Sequence, residues 1–381
     1  MSLAVGSTPL SADKSARVTR YLEWIAPAAT EGVEAGVEAP SVLEGLEHTH
    51  WSTEPEVERA VDAVDRLQRN ESLSPEHIDA IEAIVLPKER PVVDIVDGTY
   101  EAPPSPFQHF GDNPVRTVVQ KAIPSIGRVE LPNHPSLPYG GTGFVVGQGL
   151  LMTNRHVAEL FSVGIGREEL SFRPGLTAAI DFKRERDRPE AHPFAIARVA
   201  MVHPYWDMAL LVVDGLATVP PLTLAVAAPA DIAGHEVAVI GYPALDPRNN
   251  VDLQNRIFRG IFNVKRLAPG KLRDLGDINS FGHVVSAATH DSSTLGGNSG
   301  SAIVDVTTGK VVALHFAGRY LEANYAVPTH ELALDGRVVD AGVNFDGDAA
   351  GAAPVAWESY WKDADPEAVS GSGPAGVSVA A

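Results

Sequence analysis

The chain has 381 residues, 44% of them hydrophobic, which is ample for a packed core and more than one average domain needs. Its 30 lysines and arginines stand against 49 aspartates and glutamates, and the formal charge of −19 argues against electrostatic capture of nucleic acid or an anionic membrane. Protein or peptide partners fit that balance better, and the absence of cysteine excludes thiol nucleophiles and thiolate metal sites.

No run of about 18 apolar residues is present, and the start of the chain lacks a basic segment followed by an apolar core, so the expectation is a cytoplasmic protein. Val18, Tyr21, Leu22 and Ile25 share one helix face, and Val57, Ala60, Val61, Val64 and Leu67 repeat the pattern behind the capping-box pair Thr53 and Glu56. Ser74 followed by Pro75 opens a third helix reaching about Val85. Residues 1–110 are therefore expected to form a helical N-terminal region, a candidate regulatory arm that docks on the main body or receives an activating or inhibitory protein partner. The proline-rich stretch from Ala102 to Pro106 separates this region from the rest of the chain.

From about Pro114 the texture changes to short β-rich runs broken by Gly, Pro and Asn, as in an all-β sandwich or barrel. The runs include 143–146, 150–153, 208–213, 236–241, 301–306 and 311–316, and a proline-containing connector within 216–232 splits them into comparable halves. Residues 111–345 thus read as the main domain. Residues 346–381 read as an Ala/Gly/Pro-rich tail, mostly disordered, with Trp357 and Trp361 docking locally.

Three segments supply the parts of acyl-transfer chemistry. A serine hydroxyl is a poor nucleophile at neutral pH and needs a base, an acid that orients the base, and donors for the developing oxyanion. The segment TGFVVGQGLLMTNRHV, from Thr142, reads as a hairpin whose second strand ends at His156. The segment HPYWDMALLVV, from His203, places Asp207 just ahead of an apolar strand, where a part-buried carboxylate can hold an imidazole tautomer. In TLGGNSGS, from Thr294, glycines around Ser299 permit a tight turn that aims amide N–H groups inward, and the amides of Gly297 and Ser299 are the oxyanion-hole candidates. Asp214, Asp291 and Asp305 are alternatives to Asp207 but sit in turn-like contexts. Ser292, Ser293 and Ser301 lack the glycine setting, and His203, His235, His283, His290 and His330 read as surface or satisfied core residues.

The order His156, Asp207, Ser299 with these flanking motifs resembles the trypsin-like, chymotrypsin-fold serine peptidases. The likeness covers roughly residues 114–345, and GNSGS around Ser299 most resembles the bacterial glutamyl endopeptidase branch. The resemblance implies a mainly β fold, a double six-stranded β-barrel carrying an N-terminal helical extension. It also implies a serine endopeptidase with His156, Asp207 and Ser299 as triad. Because the sequence has no histidines at metal-ligand spacing and its glycine stretch from Gly140 to Gly143 lacks a phosphate-loop lysine, no cofactor is expected.

The run from Ser301, the turn Thr307 to Lys310 and the run from Val311 read as a hairpin. If Val306 faces Val311, then Ala302 faces His315 and Ser299 lies across from Gly318, which brings His315 near the pocket beside Ser299. His315 with the Thr294 hydroxyl is then placed to bind a substrate carboxylate, and in the glutamyl endopeptidase branch a threonine and a histidine at these positions are implied to recognise glutamate. Ala302 and the pair Phe316 and Ala317 depart from that branch's pattern, and a core histidine on a buried strand is the competing reading. Asn298 carries no charge to pair with a newly made amino terminus, so activation by chain cleavage is not expected. A protease-fold binding module without turnover remains the alternative function.

Overall fold

The computed structural model describes residues 90–188, 191–245, 251–319, 323–349 and 355–365. The helices expected before Val85 lie outside these residues. No helix among the described residues is long and apolar enough to cross a membrane.

The first strands come earlier than the sequence reading put them. Val93–Val96 (β1) and Thr99–Tyr100 (β2) pair across Asp97 and Gly98, both at positive φ (52° and 72°). Those angles belong to a two-residue hairpin turn that favours an Asp-Gly pair. Residues 93–100, expected to belong to a helical region, are therefore β structure, and β1 adds to the second barrel through Val93 opposite Leu267.

Six strands close the first barrel: Ile126–Glu130 (β3), Tyr139–Gly147 (β4), Leu150–Thr153 (β5), Ala179–Asp181 (β8), Pro193–Val202 (β9) and Ala209–Val213 (β10), in the order β10-β5-β4-β3-β8-β9. A small ribbon, Ser162–Val163 (β6) with Ser171–Phe172 (β7), interrupts the sequence order. Successive side chains of a strand point to opposite faces. Accordingly Val145 and Leu151 pack inside with Val129, Ile180 and Leu211, whereas Phe144, Val146 and Met152 join a second cluster shared with Ala238, Ile240, Ala302 and Leu314. That second cluster is the seam between barrels, and it accounts for strands such as β5 being buried on both faces.

The second barrel is built from Glu236–Gly241 (β11), Arg266–Ser280 (β12), His283–His290 (β13), Ala302–Asp305 (β14), Val311–Arg319 (β15) and Ala323–Pro328 (β16). The sheet order β11-β14-β15-β16-β13-β12, together with a direct β11–β12 pairing, closes these six into a ring. The mainly β, double six-stranded architecture expected from the resemblance is the fold observed.

The β14–β15 hairpin forms at the expected turn, where the Asp305 carboxylate accepts from Thr307 N at 2.8 Å and Thr308 Oγ1 at 3.1 Å, and Gly309 takes φ 74°. Its register is corrected, however. Ala302 faces Leu314 and Val304 faces Val311, because a bulge between Ile303 and Val304 inserts an extra residue into β15. His315 consequently lies beside Gly300 and Ser301, with Gly300 N donating to His315 O at 2.9 Å and His315 N donating to Ser301 O at 3.0 Å.

Past the second barrel, Val355–Ala364 forms a helix within the segment expected to be a mostly disordered tail. Trp357 and Trp361, one turn apart, are 3% and 1% exposed and dock that helix on the protein body.

Candidate active site

β5 ends at Thr153, and the short helix Arg155–Ala158 begins directly after Asn154, which places His156 at a rigid strand end beside the seam. His156 Nδ1 lies 2.7 Å from Asp207 Oδ2, the backbone N–H of His156 donates to Asp207 Oδ1 at 3.0 Å, and Asn154 Nδ2 donates to the Asp207 carbonyl at 2.8 Å. One aspartate is thus gripped at both carboxylate oxygens and its main chain by residues of a single turn. Asp207 is buried, while the His156 side chain is 39% exposed, so the ring edge opposite the carboxylate opens to solvent. Burial works against a charged ring, but the Asp207 charge, its hydrogen bond and the nearby Glu159 outweigh it and raise the imidazole pKa above the usual 6.5.

Ser299 sits on a turn that only this glycine pattern allows. Gly297 and Gly300 take φ of 85° and 90°. A Cβ on Gly300 would overlap the Thr142 carbonyl, and one on Gly297 the Tyr242 carbonyl. Although second-barrel sequence carries Ser299, strand β4 of the first barrel holds it: Thr142 N donates to Ser299 O at 2.8 Å, and Thr142 Oγ1 donates to Gly297 O at 2.8 Å. Ala244 N donates to Gly296 O at 2.6 Å. In a trans peptide the carbonyl and the following N–H point in opposite directions, so this bond turns the Gly297 N–H away from Ala244. Neither that amide nor Ser299's has a hydrogen-bond partner among the described residues, which leaves both as free donors. The Ser299 hydroxyl is not hydrogen-bonded to the His156 ring, whose partner is Asp207. Such contacts are often long in free enzymes and tighten around substrate.

Beside this turn, Thr294 Oγ1 donates to Asn324 Oδ1 at 2.6 Å, and Asn324 Nδ2 donates to Ser292 O at 2.6 Å. Asn324 Oδ1 packs directly against Gly318, where a Cβ would overlap it, with Thr294 Oγ1 close by. His315 is buried, its Nδ1 3.1 Å from His290 Nε2. Burial, followed by the neighbouring His290 and His156, pushes the His315 pKa well below 6.5, and burial with Arg90 nearby takes His290 down to about 3. Both rings are therefore neutral at physiological pH.

The alternative aspartates are committed elsewhere. Asp214 is exposed, Asp291 binds Arg273 and the Lys271 amide, and Asp305 holds His235 and its own turn. Three positions gain a part in the site that sequence reasoning did not assign them. Thr142 lies within the quoted hairpin motif, but its hydroxyl's reach to Gly297 depends on barrel packing. His290 was set aside as a core histidine; Asn324 had no local signal at all. Asn298 is buried, with its N–H bonded to Leu295 O at 3.1 Å and its carbonyl accepting from Ser301 N at 2.8 Å, so it closes the turn by backbone bonds.

Residues 141–314 match the family model described as the trypsin-like peptidase domain. Over 328 residues the chain is 28% identical to a probable serine protease of Lysobacter enzymogenes, an alignment covering 77% of this chain and 84% of that one. Among solved structures, the active form of the Rv3671c protease from M. tuberculosis is similar at 23% identity and a TM-score of 0.40, over 62% of this chain and 88% of that one. Deg5 is similar at 20% identity and a TM-score of 0.38, over 56% and 87% of the two chains. The chain carries a trypsin-like peptidase domain. It is a serine protease.

Proposed function

We propose that the protein is an endopeptidase in which Ser299, His156 and Asp207 act as nucleophile, general base and orienting acid. The observation that carries this reading is the grip of His156 on Asp207 through both carboxylate oxygens, with Ser299 on a glycine-bracketed turn whose carbonyl packs on Gly141 beside Val157, the neighbour of His156. In the proposed reaction, Ser299 Oγ attacks the scissile carbonyl as its proton passes to His156 Nε2, and the amides of Gly297 and Ser299 take the oxyanion. Collapse of the tetrahedral species breaks the C–N bond, with the imidazolium returning its proton to the leaving amine. Water then repeats the sequence on the acyl-enzyme, releasing the acid and restoring Ser299. Asp207 stays ionised throughout and stabilises the imidazolium. A serine-directed fluorophosphonate tests the reading: labelling of Ser299 that His156→Ala abolishes is expected, whereas an unreactive wild-type chain would point to a silent binding module.

The base must be neutral to accept a proton, so activity is lost as pH falls through the His156 pKa. Because Asp207 and Glu159 hold that pKa above its usual value, the acid limb of the kcat/KM profile is expected above pH ~6.5. A limb below that value would contradict the electrostatics of the site.

A preference for an acidic residue before the scissile bond is the proposed specificity. The polar cluster of Thr294 and Asn324 packed on Gly318, on the strand that also carries His315, supports this. If His290 Nε2 donates to His315 Nδ1, the single proton of the neutral His315 ring sits on Nε2 and is available to a carboxylate. A hydrogen bond to a charged group contributes about 1.5–3 kcal/mol, so kcat/KM for a Glu peptide is expected to exceed that for its Gln analogue by roughly ten- to a hundredfold. His315→Ala should bring the two substrates together in a peptide-library profile, and an unchanged profile would refute the assignment.

A further inference from the structure

The loop that delivers Asp207 is anchored from behind by a second, wholly buried histidine. His203 and Asp335 have side-chain exposures of 0% and 1%. His203 Nδ1 accepts from the amides of Tyr205 at 3.1 Å and Trp206 at 3.0 Å. A nitrogen that accepts carries no proton, so the proton of the neutral ring sits on Nε2, which donates to Asp335 Oδ2 at 3.2 Å. Trp361 Nε1 donates to the same oxygen at 2.7 Å, and Arg337 N donates to Asp335 Oδ1 at 2.9 Å. His203 N donates to Met208 O at 2.9 Å and closes the loop around Asp207.

The charges facing this ring agree with its neutral state. Burial lowers its pKa most; Asp335 pulls upward, and Arg337 and Arg155 lower it further. A proton on Nδ1 would set an N–H against two amide N–H groups and open the turn. Trp361 and Trp357 meet the ring edge-on, with centroids 5.1 and 6.0 Å away. At the end of the same helix, Asp365 accepts from the amides of Arg167 and Glu168, next to Gly166, which bridges to Val202. The helix Val355–Ala364 lies outside the stretch that matches the peptidase domain.

We infer that His203 is a positioning residue for Asp207, and that the helix Val355–Ala364, through the bond from Trp361 to Asp335, fixes the tautomer in which His203 does so. The inference rests on the proposed triad of Ser299, His156 and Asp207. It makes the C-terminal helix part of the machinery that aligns the base.

The test uses the full chain and compares His203→Gln, His203→Asn and Trp361→Phe. The Asn oxygen falls near the position of Nδ1 and keeps the two amide bonds, whereas the Gln amide mimics Nε2 and gives them up. Small misplacements of a reacting group cost up to about a hundredfold. His203→Gln is expected to lower kcat by about ten- to a hundredfold with KM nearly unchanged, and to move the acid limb of kcat/KM to lower pH as Asp207 loosens its hold on His156. The far-downfield proton resonance of the His156 Nδ1–H should weaken or move in step. His203→Asn should recover most of kcat, and Trp361→Phe should shift the limb in the same direction by less.

A folded His203→Gln chain with the wild-type limb and resonance would overturn the inference, as would a His203→Asn chain no better than His203→Gln. If His203→Gln does not fold, an unchanged limb and resonance in Trp361→Phe overturns it instead. A parallel Ser299→Ala chain separates this failure from failure of the triad: turnover that survives Ser299→Ala removes the triad, while the resonance still reports the His156 contact with Asp207.

Discussion

Ser299→Ala is expected to reduce kcat by about a millionfold, because nucleophile and base act as one unit and losing either forfeits the covalent route. What remains is the stabilisation supplied by the two free amides and by substrate binding, about a thousand- to ten-thousandfold over the reaction in water. Ser299 is half-buried and its hydroxyl makes no hydrogen bond to His156, so the melting temperature should hardly move, a surface-like change costing within about 0.5 kcal/mol. The measurement is single-turnover kinetics on a fluorogenic peptide, with thermal unfolding run alongside. A drop in kcat of less than about a hundredfold would show that another group attacks the carbonyl, whereas a large loss of stability would show that the Ser299 hydroxyl helps hold the fold.

The next largest effect is expected for Asp207→Asn, about ten-thousandfold in kcat. Its cause can be read from the donors around the carboxylate. Oδ1 accepts from the His156 backbone N–H, which can only donate, so the carbonyl oxygen of an asparagine must take that place. The amide NH2 is then forced against His156 Nδ1, where Oδ2 now accepts. Two N–H groups cannot face each other, so the imidazole must move its proton to Nε2, the atom that has to take the proton of Ser299. The variant should keep its fold and lose its acid limb near the wild-type position. Activity within about tenfold of wild type would mean that Asp207 does not set the tautomer.

The segments of the proposed triad are short and constrained by chemistry: a histidine at a strand end, a carboxylate before a buried strand, and a serine between glycines whose positive φ few other residues tolerate. The β-rich runs and their turn residues mark an all-β sandwich or barrel, and the double barrel follows only from the resemblance that the motifs carry. The register beside the pocket was not legible, since the bulge at Ile303 and Val304 lies in an unbroken apolar run that no residue type marks. Asp97 with Gly98 between apolar pairs is a strong hairpin signal, and its neglect placed the start of the β structure too late. The tryptophans at 357 and 361 signal the local docking that is observed, but the surrounding Ala, Gly and Pro hide the helix that carries them. The roles of Asp335 and Asn324 could not have been found, because the side chains they bond, His203, Trp361 and Thr294, lie 26 to 132 residues away and meet them only after packing.

The bonds from Thr142 to Ser299 and Gly297 cross between halves of the molecule that are far apart in the chain. During synthesis the segment bearing the hydroxyl emerges long after the strand that must seat it, so a nascent or partly melted polypeptide has an unseated attacking group and no anion-stabilising turn. With Ser299 as the proposed nucleophile, cutting power therefore arrives only when both halves have packed together.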